Sequence, residues 1–326
     1  MPRAIALLAV CAASVCAASG CQRGLDDADV RPDNRPVRPF IEIAPTAPEP
    51  SVAVEREPNN ARIQATPLEP NEPIQGHIGA PNDEGEPDQD WFAIEVIDGA
   101  PVLARVTLEG ADDLDLVLEW MTREAAKDEL RIQADHHIKS PGPEVLPNLK
   151  LRPGTSFFRV REAWYRGKPR RSSKIPYALR VDTSRWSSHI ESEPNGTSDR
   201  AVESTVGKTD TGVLSHARDV DLWRLQVPAL LSSERLTVEV TPPAGVTTHV
   251  SVSWSSHPTH TVSHSPPAGR PAVFKNLAPP DAASELLIKL KSTGPTSPSS
   301  PYRIMSQVVP GQAPETEVEP NDLSAS

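Results

Sequence analysis

The chain has 326 residues, with 33 Lys and Arg against 44 Asp and Glu, a net charge of −11 and 4% aromatic residues. A surface of that sign repels phosphate, which excludes non-specific binding to nucleic acid or anionic lipid. Its 36 prolines and 37% hydrophobic content exclude long interior helices and a wholly disordered chain alike. Modest β domains joined by extended linkers fit these figures; one large α/β enzyme does not.

Residues 1–20 open with a single cation, Arg3, run through an apolar stretch from Ala4 to Val10 and end in small residues. That is the layout of a secretory signal, too short to span a bilayer with stable flanks. The cysteines are Cys11, Cys16 and Cys21. Ala18-Ser19-Gly20-Cys21 resembles a bacterial lipobox, with Ala18 where that family prefers Leu. The resemblance implies that Cys21 is the lipidated first residue of the mature chain. With Gln22 rather than Asp behind it, it implies the outer membrane of a Gram-negative bacterium, facing periplasm or cell surface. An ordinary signal cut nearby, leaving Cys21 as a thiol, is the other reading. Either leaves no internal disulfide, so packing must supply stability, with metal as a candidate second source. Residues 21–54 carry Pro32, Pro36, Pro39, Pro45, Pro48 and Pro50 without apolar periodicity, and read as a disordered tether. Extended at about 3.1 Å per residue, it spans on the order of 100 Å.

Glu-Pro-Asn then occurs at Glu57, Glu193 and Glu319, each time with another Glu two residues earlier, at Glu55, Glu191 and Glu317. Further matches follow in order. Gly76-His77-Ile78 corresponds to Gly212-Val213-Leu214, Asp88-Gln89-Asp90-Trp91-Phe92 to Asp219-Val220-Asp221-Leu222-Trp223, and Pro176-Tyr177 to Pro301-Tyr302. A tandem duplication with units of about 130 residues accounts for this order. Within the units, runs such as Trp91–Val96, Val102–Leu108, Leu114–Trp120, Ser156–Arg161 and Tyr177–Val181 read as short strands. Leu222–Val227, Leu236–Val240, His249–Trp254, Leu286–Leu290 and Tyr302–Ile304 do the same in the second unit. Asp98-Gly99, Pro153-Gly154 and Pro243-Ala244-Gly245 mark turns. The expected fold is all-β: two tandem antiparallel sandwiches, over residues 55–183 and 190–308, followed by a disordered tail at 309–326 that holds a truncated third motif. Met121–Leu130 reads as a helical turn or a charged loop.

These motifs, together with Leu151-Arg152-Pro153-Gly154-Thr155-Ser156-Phe157-Phe158, resemble the bacterial pre-peptidase C-terminal domain. The family includes the collagen-binding domains of clostridial collagenases. The resemblance implies a jelly-roll-like sandwich, often appended to secreted enzymes, and a calcium site near the N-terminal segment. It carries that role onto Glu55, Glu57, Asn59, Asn60, Asp88 and Asp90, and onto Glu191, Glu193, Asn195, Asp219 and Asp221. The chemistry agrees: Ca²⁺ takes six to eight hard oxygens at about 2.3–2.6 Å. In an extended segment the side chains of Glu55, Glu57 and Asn59 share a face. Gly196 stands where the first unit has Asn60, so a weaker second site is expected. Solvated linker charges, with the asparagines as turn formers, are the alternative.

His249, His257, His260 and His264 lie in a Ser/Thr/Pro-rich stretch, at spacings that put them on no common strand face, and read as an exposed polar loop. In a strand, His136 and His137 would point to opposite faces and could not chelate together. Arg166, Lys168, Arg170, Arg171 and Lys174 form a basic loop that could take phosphate or sulfate groups on a glycan, or simply be solvated. No nucleophile elbow, His-Glu-x-x-His or phosphate-cradling glycine loop is present, and Asp112, Asp113 and Asp115 fit a strand entry. The sequence therefore reads as a non-enzymatic, lipid-anchored envelope protein that binds or scaffolds a glycan or protein, with calcium tying linker to sandwich and setting the angle between domains. The second reading is an accessory or remnant module of a secreted peptidase.

Overall fold

The computed structural model describes residues 52–311, apart from 82–83, 98, 112–113, 125–126, 136–141, 164–173, 281–283, 295 and 297. The expected signal peptide, Cys21, the tether up to residue 51, the third Glu-Pro-Asn motif, His136-His137, Asp112-Asp113 and the basic residues Arg166, Lys168, Arg170 and Arg171 lie outside the described residues. Lys174 is described, and is exposed. No helix among the described residues is long and apolar enough to cross a membrane.

The first unit contains β1 (Ala53–Val54), β2 (Thr66–Pro67), β3 (Pro73–Gly76), β4 (Gln89–Val96), β5 (Val102–Gly110), β6 (Leu116–Glu124), β7 (Lys127–Ala134), β8 (Glu144–Leu151), β9 (Gly154–Glu162) and β10 (Tyr177–Arg185). They form two sheets, β1-β3-β10-β5-β8 and β2-β4-β9-β6-β7. Alternation along each strand sends one set of side chains inward: Phe92, Ile94 and Val96 from β4, Ala104, Val106 and Leu108 from β5, Phe158 and Val160 from β9, and Leu179 and Val181 from β10 build the core.

The second unit repeats the plan with β11 (Val202–Thr205), β12 (Thr209–Gly212), β13 (Val220–Val227), β14 (Glu234–Thr241), β15 (Thr248–Trp254), β16 (His257–His264), β17 (Ala272–Leu277), β18 (Ser284–Ser292) and β19 (Tyr302–Pro310). Its sheets run β12-β19-β14-β17 and β11-β13-β18-β15-β16. The duplication read from the motifs is thus a duplication of topology, and the all-β expectation holds. Trp223, Leu236, Val250, Phe274, Ile288 and Ile304 are among its core residues.

Several local expectations are corrected. Ala53–Val54, expected in the tether, forms β1 on β3, and Val309 and Pro310, expected in the tail, extend β19 along β14, because backbone pairing at a sheet edge carries each end past the limit of its apolar pattern. The sandwiches are not purely antiparallel: β1 joins β3, β2 joins β4 and β11 joins β13 in parallel. The entering segment of each unit runs along sheet edges, and an edge accepts a strand of either direction. The described residues of Met121–Leu130 are neither helix nor loop but strand, 121–124 in β6 and 127–130 in β7, two strands that pair from Leu118↔Ala134 to Glu124↔Lys127. Trp120 faces Ile132 across that pair, and both pack on the core. Local composition does not contain such a cross-strand contact. The histidine stretch is likewise strand, with His249 in β15 and His257, His260 and His264 in edge strand β16, of which Val262 packs against the core.

Candidate metal centres

In the first unit, β1 lays the chain against β3, and the Glu55 amide donates to the Gln75 carbonyl at 2.8 Å. This aims the Glu55 carboxylate into the sandwich mouth. Its Oε1 accepts from the His77 amide at 2.6 Å and its Oε2 from Asn59 Nδ2 at 3.1 Å. The Tyr177 hydroxyl lies 2.8 Å from Glu55 Oε2 and 2.5 Å from Asp90 Oδ2. A hydroxyl has one proton to donate, so one of these two carboxylates lacks it. A methyl group at Gly76 would collide with both the Tyr177 hydroxyl and Glu55, which explains the glycine of the Gly-His-Ile motif. The amide of Asn59 donates to Glu57 Oε2 at 3.0 Å, and the Asn59 carbonyl accepts from the Trp91 amide at 3.0 Å. That last bond fastens the Glu-Pro-Asn segment to β4.

Glu55, Glu57 and Asp90 each bring a carboxylate oxygen to within 4.8 Å of the others. Oxygens bound about 2.4 Å from a common Ca²⁺ can be at most about 4.8 Å apart, so the spread suits that ion. Asn59 Oδ1 and Asp90 Oδ1 are buried without a hydrogen-bond partner. Burial, followed by the charges of Glu55 and Asp88, pushes Asp90 up to about 9. Burial also raises Glu55 and Glu57, with the Asp88 charge adding to both. Asp88 stands beside the cluster rather than in it, its Oδ2 accepting from the Gly79 amide. Asn60 is further out. Its Oδ1 accepts from the Gln89 amide at 2.8 Å in an exposed hydrogen bond. Gly196 in place of Asn60 therefore removes no oxygen from the second cluster, and the expected weakness of that site loses its basis.

The second cluster is more deeply enclosed. Glu193, Asp219 and Asp221 bring oxygens within 4.8 Å of one another, and all three are buried. Both carboxylate oxygens of Asp221, Glu193 Oε1 and both amide atoms of Asn195 have no hydrogen-bond partner. Glu191 supports the cluster from behind: Oε1 accepts from the Val213 amide at 2.5 Å, and Oε2 from the Tyr302 hydroxyl at 2.8 Å. Trp223 Nε1 donates to that hydroxyl at 2.9 Å. Asp219 Oδ2 accepts from the amide of Ser215 at 2.6 Å and from its hydroxyl at 2.7 Å. Burial, then the neighbouring carboxylates, raises Glu193 and Asp221 well above the usual range; burial lifts Glu191 to about 7.

Donor chemistry and enclosure both fit a hard cation. Every candidate ligand is a carboxylate or amide oxygen, with no imidazole or thiolate among them, which favours Ca²⁺ over zinc. Buried carboxylates without partners are costly unless a proton or cation compensates them. Bound there, the ion would supply positive charge to both the linker carboxylates and the β4 or β13 aspartate.

Among the described residues, His249, His257, His260 and His264 do not assemble into such a site. His257 and His260 stack at 5.7 Å, His264 packs on Phe274 at 4.7 Å, and His249 Nδ1 is 2.8 Å from Ser265 Oγ. Sequence reasoning missed Tyr177, Tyr302, Gly76 and Gly212 as site residues, although each belongs to a repeated motif. No family model and no curated protein matches the chain. Among solved structures, the exported protein XepA of PBSX is 13% identical with a TM-score of 0.24, covering 75% of this chain and 90% of that one. A protein described as secreted from Eubacterium rectale is 8% identical at TM-score 0.25, covering 77% and 81%. The CUB1-EGF-CUB2 region of human MASP-1/3 is 10% identical at TM-score 0.20, covering 71% and 99%. Likeness at that level says nothing about what this chain does.

Proposed function

We propose that the protein is a non-enzymatic, lipid-anchored envelope protein whose two sandwiches are calcium-stabilised binding or scaffold modules of the pre-peptidase C-terminal type. Cys21 would carry the lipid, and residues 21–54 would hold the modules away from an outer membrane. An envelope glycan or protein would be the ligand. The observation that carries the metal part of this reading is the pair of clusters that share the second motif glutamate (Glu57, Glu193) and the strand aspartate (Asp90, Asp221), each closing a linker Glu-x-Glu-Pro-Asn segment onto that aspartate. Each also holds a buried carboxylate oxygen without a partner. Calcium in each would fasten the entering linker to its sandwich.

Calorimetric titration of the purified chain with Ca²⁺, with parallel thermal melts in chelator and in millimolar calcium, tests the reading. Extracellular calcium modules bind at about 10⁻⁴–10⁻³ M. Two binding events and a higher melting temperature are expected, one event being lost with Asp90→Asn and the other with Asp221→Asn. Absence of heat and of any thermal shift would overturn the calcium reading. Globomycin-sensitive processing and loss of membrane association in Cys21→Ser test the anchor separately.

A further inference from the structure

The second cluster contains a contribution from the first sandwich. Strand β8 carries a bulge: Ala104 pairs with Leu149 and Val106 with Leu146, so Pro147 and Asn148 together oppose Arg105. Asn148 holds φ at 54°, the left-handed region that asparagine tolerates. The bulge turns Asn148 out to the segment entering the second sandwich. There its carbonyl accepts from the Glu193 amide at 3.0 Å, and its Nδ2 donates to Glu191 Oε1 at 2.9 Å. Leu149 and Glu193 form a parallel bridge beside them. Arg105, across the bulge, donates from Nη1 to the Pro298 carbonyl at 2.6 Å and from Nη2 to Ser299 Oγ at 2.9 Å, a second contact between the sandwiches.

Comparison of the two clusters shows what Asn148 replaces. In the first, Asn59 of the motif itself donates to Glu55. In the second, the equivalent Asn195 makes no such bond, and both its amide atoms are buried and unpartnered. Asn148 supplies the donor instead, which leaves Asn195 free to present its oxygen to the cluster.

We infer that the second cation site is completed by the first sandwich, with Asn148 as the positioning residue, so that cation binding at Glu193, Asp219 and Asp221 and docking of the two sandwiches strengthen each other. The inference rests on the calcium reading above. Linkage makes the effect reciprocal: whatever factor docking adds to calcium affinity, calcium adds to docking. The first site, complete within its own unit, carries no such coupling.

The test uses the full chain with Asp90→Asn, which leaves the second site to be titrated alone with CaCl₂. Asn148→Gly keeps the left-handed backbone while deleting the amide, and is expected to weaken calcium binding about tenfold, the scale of one hydrogen bond to a charged group. Arg105→Ala touches no ligand and should weaken it in the same direction. Asn276→Gly is the control: Asn276 sits at φ 60° in the matching bulge of β17, and calcium affinity should not change. Small-angle scattering supplies the second readout. Calcium should narrow the distribution of overall dimensions in the parent, and less so in Asn148→Gly. A parent that binds no calcium would overturn the metal reading and this inference with it. A parent that binds, with Asn148→Gly within twofold of it and equally compacted by calcium, would overturn this inference alone.

Discussion

Replacing Asp221 by asparagine should raise the stability of the metal-free chain and abolish most of the gain from calcium at the second site. Asp221 is fully buried, and the nearest donor to its carboxylate is the Tyr302 hydroxyl, whose single proton already serves Glu191 Oε2. Oxygens of Glu193 and Asp219 lie within 4.8 Å of an Asp221 carboxylate oxygen. Two unit charges at that distance repel by about 3.5 kcal/mol at an effective dielectric constant of 20. Proton uptake relieves part of this, because burial and the neighbouring carboxylates hold Asp221 well above the usual carboxylate range. Asparagine keeps the shape, removes the charge, and offers an amide to Glu193 Oε1, which is itself unpartnered. A net gain of about 1–3 kcal/mol in chelator follows, or about 4–12 °C for a sandwich of this size. In calcium at 100 times its dissociation constant the native site gains about 2.7 kcal/mol, and the variant, short of a charged ligand, gains little at that site. Scanning calorimetry at pH 8, in chelator and then in 10 mM calcium, should therefore show the ranking invert for the second transition. If Asp221→Asn melts below the native chain in chelator and keeps the full calcium shift, the cluster is not a cation site and its carboxylates are compensated in some other way.

Gly212→Ala should cost about 2–3 kcal/mol, because the new methyl collides with the Tyr302 hydroxyl and Glu191 Oε2 and leaves buried polar groups unpaired; a chemical denaturation midpoint reads it, and the second calcium event should weaken with it. Asn60→Ala should leave both calcium affinities unchanged in calorimetry, since Asn60 Oδ1 serves the Gln89 amide rather than the cluster. The metal-free chain should also lose stability as pH rises. Asp90 keeps its proton up to about pH 9 when folded, against 3.8 as its reference. Its contribution is thus complete below about pH 4 and fades toward pH 9. Melts in chelator from pH 5 to 9 should fall for the native chain relative to Asp90→Asn, and the calcium-induced shift should grow over the same window as the metal displaces the proton.

The strands were legible because their information is local. Period-two alternation along Trp91–Val96 or Leu222–Val227, with turn residues between, is enough to place β4 and β13. The acidic clusters were legible for a different reason: their order along the chain repeats, and an extended Glu-x-Glu segment can only meet a strand aspartate if the linker folds back on its own sandwich. What local pattern cannot carry is a partner from another strand. Tyr177 reaches Asp90 across the sandwich, and Trp120 meets Ile132 across strands whose connecting stretch, Met121–Leu130, reads locally as a helical turn or a charged loop. Asn148 is the extreme case, since its side chain serves a carboxylate in the next unit. Its signal was nonetheless present, as an Asn-Leu pair that recurs at Asn276-Leu277, again in a bulge with a left-handed asparagine. In sequence, Glu317 follows Asn276 at nearly the interval by which Glu191 follows Asn148. The repeat is therefore better divided so that each sandwich owns a receiving bulge as well as an entering motif.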